Sequence, residues 1–95
     1  MLGNFRVREM ETTTQLVFDD LMQYDDLHKL NAALLKIQGV SKTAVKRTFE
    51  GELFNFSYQD MRFSTFFEEF GDEVVISVPK PQDPAPLIKL MTIDN

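Results

Sequence analysis

Apolar positions along the chain follow two periods. In "DDLHKLNAALLKIQG", Leu27, Leu30, Leu34 and Ile37 recur every three or four residues, which lines one face of a helix. Asp25 suits the N-cap, and Asp26 lies where the helix dipole favours a negative charge. Lys36 falls in the last turn, and Gly39 suits the left-handed position that closes a helix. "DMRFSTFFEEFG" repeats the design, with Asp60 as cap, Phe63, Phe66, Phe67 and Phe70 as the stripe, and Gly71 as the stop. The spacing predicts two helices, with Leu30, Leu34, Phe63, Phe66 and Phe67 buried beneath them.

Elsewhere the period is two, the mark of half-buried strands. "TTQLVFDD" turns Leu16 and Phe18 inward. "SKTAVKRTFEG" sets Thr43, Val45, Arg47 and Phe49 on one face, with Ala44, Lys46 and Thr48 on the other. "ELFNFSYQD" sets Phe54, Phe56 and Tyr58 against Leu53, Asn55, Ser57 and Gln59, and Gly51 joins these two runs as a hairpin. "DEVVISVPK" turns Val74, Ile76 and Val78 inward. "NFRVREME" also alternates, and reads either as an extra strand or as a long beginning of the first.

Strand, helix, strand, strand, helix, strand resembles the split βαβ arrangement called ferredoxin-like. That resemblance implies an α+β fold, βαββαβ, in which a four-stranded antiparallel sheet carries both helices on one face. The domain spans residues 1–79. "PKPQDPAP", residues 79–86, holds all the prolines of the chain and reads as a linker. Beyond it Leu87, Ile88, Leu90, Met91 and Ile93 are apolar again. Residues 87–93 are too few for a stable helix alone. Residues 80–95 are therefore expected to form a proline-rich linker and a docking arm. The arm would reach its own sheet edge or be added as a strand to a second copy.

Composition adds limits. With no cysteine, no disulfide can brace the chain and no thiolate can act as nucleophile or ligand. Packing must hold it together, and 43% hydrophobic residues, with nine phenylalanines, supply the material. The net charge is −5, and from Gly51 on only Arg62, Lys80 and Lys89 oppose eight acids. Phosphate backbones and anionic membranes are therefore poor partners for the second half. The N-terminus has no apolar run like that of a secretory signal, and no segment approaches the length of a membrane span, so a cytoplasmic location is expected.

Candidate chemistry is sparse. "FDDLMQYDDL", residues 18–27, holds two aspartate pairs, but no histidine or glutamate at fixed spacing completes a metal set. The pairs read as a strand end and a helix cap. His28, the one histidine, falls off the helical stripe. No glycine-rich phosphate loop and no nucleophile-elbow serine is present, so no catalytic, cofactor or metal residue is assigned. "GELFNFSY" resembles the aromatic third strand of RNA-recognition domains, which would imply base stacking. However, Glu52 stands where the first stacking aromatic would be. "LLKIQGVSKTAVKR" resembles a helix-hairpin-helix element, which would need a helix where residues 41–50 alternate as a strand.

The sequence thus predicts a non-enzymatic protein-interaction module that self-associates or takes a protein partner, without nucleic acid, membrane or cofactor. Leu53, Leu87, Ile88, Leu90, Met91 and Ile93 are the interface candidates. A small-molecule-sensing domain is the alternative, and a nucleic-acid-binding accessory protein a lesser one.

Overall fold

Pairing between alternating strands organises most of the chain. The structure, a computed structural model, describes residues 4–49 and 51–92. Its elements are β1 (Phe5–Glu9), β2 (Thr13–Phe18), α1 (Tyr24–Leu35), β3 (Val40–Thr48), β4 (Gly51–Tyr58), β5 (Met61–Glu68), β6 (Glu73–Pro79) and α2 (Ala85–Thr92). All strands join one antiparallel sheet in the order β1-β2-β6-β5-β4-β3.

This corrects the ferredoxin-like expectation twice. The sheet has six strands, because "NFRVREME" supplies β1 as a separate strand. The second expected helix is also a strand. β5 pairs with β4 on one side and β6 on the other, and both neighbours would otherwise present an unsatisfied ladder. Met61, Phe63 and Thr65 point into the core from β5, and the Phe63 ring stacks on Phe56 with centroids 5.5 Å apart. The supposed helical stripe is thereby split. Phe66 and Phe67 are half-buried on opposite faces of the strand, and Phe70 lies beyond it, solvent-exposed.

α1 forms where the stripe predicts it, and Leu27, Leu30 and Leu34 are buried. It starts earlier than Asp25. Gln23 is the N-cap, and its backbone N–H donates to the Asp26 carboxylate at 3.1 Å. Gly39, at φ +93°, turns the chain into β3. A Cβ there would also come within 3.3 Å of the Tyr58 ring.

α2 occupies the expected arm. The prolines begin a helix, since Pro86 lies in its first turn, where a backbone N–H is not needed. The Ala85 N–H donates to Asp83 Oδ1 at 3.0 Å, and the Ile88 N–H to the Pro84 carbonyl at 3.0 Å. Burial stabilises this short helix. Leu87 and Met91, one turn apart, belong to the same core as Leu34, Phe56, Phe63 and Val78.

The opposite face of the sheet is covered differently. Val17 and Val75 point away from the helices, yet both are 0% exposed. Register places them between Arg8 and Glu73. Arg8 spans that gap, with Nε and Nη2 donating to Gln15 Oε1 at 2.9 and 2.6 Å and Nη1 donating to Glu73 Oε2 at 3.2 Å. Its charge stays paired across this face of the sheet. Among the described residues no helix is long and apolar enough to cross a membrane.

Candidate interaction surface

Antiparallel connection brings the β3–β4 and β5–β6 turns to the same end of the sheet as the start of α1. β3 and β5, which lead to Phe49 and Phe70, are separated in the sheet by β4. Both rings lie in solvent, Phe49 at 106% and Phe70 at 93% exposure. Each lies in a turn, where the strand period no longer chooses between the two faces of the sheet. Phe49 helps to line a cleft of about 340 Å³, together with Thr48, Gly51, Glu52, Leu53, Phe66 and Phe67. Tyr24, Arg47, Glu52 and Glu69 help to line an adjoining hollow of about 420 Å³, so the apolar cleft has a charged rim.

Tyr24 ties α1 to this end. Its hydroxyl donates to Glu52 Oε1 at 2.7 Å, and its ring meets Phe67 edge-on at 6.0 Å. The hydrogen bond to the Glu52 carboxylate, then partial burial and the Glu52 charge, raise the Tyr24 pKa above the ordinary tyrosine value, with Arg47 opposing. His28 continues the ladder, edge-on to both Tyr24 and Phe54. It is an exposed ring in an aromatic stack.

β3 forms the edge of the sheet beside this cleft. From Ser41 to Thr48 every residue is exposed. A bulge between Lys42 and Ala44 shifts the register. On the far face, Ser64 Oγ donates to Asn55 Oδ1 at 2.7 Å within a groove of about 530 Å³ that also includes Ala44, Ser57 and Arg62. That groove offers hydroxyl and amide hydrogen bonds to a small polar molecule.

The sequence-derived interface candidates are scattered. Leu53 is half-buried in the apolar cleft. Leu87 and Met91 are buried in the core, and Ile88 and Leu90 are half-buried on α2. Ile93 lies outside the described residues. Phe49 and Phe70 were absent from that set. Their signal was an aromatic in a turn, "FEG" and "FGD", where a side chain is freed from either face of the sheet.

Three of the four paired aspartates have local partners. Asp19 Oδ1 accepts from Arg6 Nε at 2.9 Å, Asp20 Oδ2 accepts from Asn4 Nδ2 at 3.2 Å, and Asp26 caps α1. Among the described residues no group of three or more acidic or histidine side chains stands together as a metal site. No protein-family model, no curated protein and no solved structure matches the chain.

Proposed function

We propose that this protein is a non-enzymatic interaction module that docks a protein partner at the sheet end carrying Phe49 and Phe70. One observation carries the reading: two solvated phenylalanines sit on turns at the same end of the sheet, and one of them, Phe49, lines an apolar cleft. Burying one such side chain is worth about 1.5–3 kcal/mol, so two on a free surface forgo a large share of a small domain's stability. Scattered exposed apolar residues are ordinary, but aromatic side chains grouped beside a cleft are the usual anchors of an interface. Half-buried Leu53 and Phe66 form the apolar floor, and Glu52 and Glu69 form a polar rim.

The size of the species that contains the chain in its own cell tests this. The native chain is expected in a species larger than its own 11.0 kDa. Phe49→Ser with Phe70→Ser should release it, because neither ring supports the fold. If native and variant chains migrate alike, the reading fails. Light scattering of the pure chain then identifies whether the partner is a second copy, as a mass doubled in the native chain and single in the variant.

A further inference from the structure

We propose that the docked partner presents an extended acidic segment, which adds as a seventh strand to the open edge of β3. The proposal rests on the interaction reading above and names the chemistry of the partner. β3 is the last strand of the sheet and its longest, with one side paired to β4 and the other open among the described residues. An open edge holds a row of backbone donors and acceptors that an extended peptide can satisfy.

Charge selects the peptide. β3 carries Lys42, Lys46 and Arg47 and no acid, in a chain whose net charge is −5. Among the described residues Lys42 and Lys46 enter no ion pair. Arg47 lies opposite Glu52, but the Glu52 carboxylate accepts its hydrogen bond from Tyr24. The other edge differs. β1 has five residues, and its Arg6 and Arg8 are already paired with Asp19 and Glu73.

The same cations disfavour pairing of β3 with β3 of a second copy. The bulge after Lys42 puts Lys42 on the same face of the sheet as Arg47, so antiparallel pairing of two β3 strands can set these cations opposite one another. Like charges directly opposite destabilise a sheet. Acidic side chains in those places are attracted instead, so the edge repels its own kind and accepts the complementary one. β3 also leads to Phe49, which with Thr48 lines the cleft, so a segment paired along β3 finishes at the cleft end of the sheet. The favoured segment is acidic along its length, with an aromatic or large aliphatic residue at the cleft end.

The probe is a capped peptide as long as β3, alternating threonine and glutamate and ending in phenylalanine. It is titrated into the full chain and followed by backbone amide spectra and hydrogen exchange. The β3 amides should shift and exchange more slowly. Lys42→Glu with Lys46→Glu should weaken binding by about tenfold or more, as should salt of about 0.5 M. Binding that leaves the β3 amides unmoved, or that is equal for a lysine-containing control peptide, would overturn edge addition. So would the absence of any binding. Oligodeoxythymidine moving those amides where the peptide does not would assign the cations to a phosphate backbone and also overturn it. None of these results touches the interaction reading, which stands or falls with Phe49 and Phe70.

Discussion

Thr65 on β5 donates a 2.6 Å hydrogen bond from Oγ1 to Asn31 Oδ1 on α1, and both residues are buried in the contact between helix and sheet. Asn31 Nδ2 is buried with no partner. The pair therefore locks one register of helix on sheet while leaving one donor unsatisfied. Thr65→Val removes the bonded donor and leaves the whole Asn31 amide without a partner, at a cost of about 1–3 kcal/mol. Adding Asn31→Leu should recover most of that loss, because no polar group then remains to be desolvated. Urea unfolding of the single and double variants checks it. A double variant as unstable as the two losses summed would mean that the bond is worth more than this account allows.

That pair also shows why β5 was hard to read. Thr65 interrupts the phenylalanines of "MRFSTFFEEF", and in the structure it points inward with Phe63 while Arg62 points out. Phe63, Phe66, Phe67 and Phe70 fit a helical stripe equally well, since a short apolar run satisfies both periods. Pairing with β4 and β6 decided between them, and a neighbour-free reading cannot see that pairing. α1, β2, β4 and β6 were legible because Leu27, Leu30 and Leu34 fit only a helix, while Leu16, Phe18, Phe54, Phe56, Val74 and Ile76 fit strands. α2 was hidden for another reason: burial of Leu87 and Met91 by a distant sheet overrides the weak helical tendency of a short tail. Leu53 was the part of the candidate surface that could be read in advance. Phe49 and Phe70 were assigned to faces because turns obey no period.

α2 should behave as part of the core. Leu87→Ala or Met91→Ala is expected to cost roughly 2–5 kcal/mol, as for other buried large-to-small changes. Leu90→Ala, at a half-buried position, should cost less. Thermal unfolding distinguishes these outcomes. If all three variants melt with the parent, α2 does not pack as described.

Alkaline pH should weaken the fold through Tyr24. Its folded pKa is raised because the neutral hydroxyl donates to the Glu52 carboxylate. A raised value means that the fold favours the protonated form. That stability is present below the ordinary value of 10.0 and is lost as pH climbs through the folded value. Tyr24→Phe should remove this part of the decline above pH 10.0. Identical stability-against-pH curves for the two proteins would show that the Tyr24–Glu52 bond does not persist in solution.

Exposure separates the two groups of phenylalanines. Phe49→Ser and Phe70→Ser should each change stability by no more than about 0.5 kcal/mol. Phe63→Ala, which removes a buried ring stacked on Phe56, should cost about 3–5 kcal/mol. A large loss with Phe70→Ser would mean that the ring is covered within its own chain. The proposed surface would then lose one of its anchors.

A photo-crosslinking scan in the native cell tests the interaction claim most directly. A photoreactive residue is placed in turn at Phe49, at Phe70 and at Lys29, an exposed residue of α1 and the control. The account predicts one discrete protein adduct shared by positions 49 and 70, weak or absent at position 29, and lost from position 49 when Phe70 is replaced by Ser. Equal labelling at all three positions, or adducts at none, would contradict a docking site at this end of the sheet.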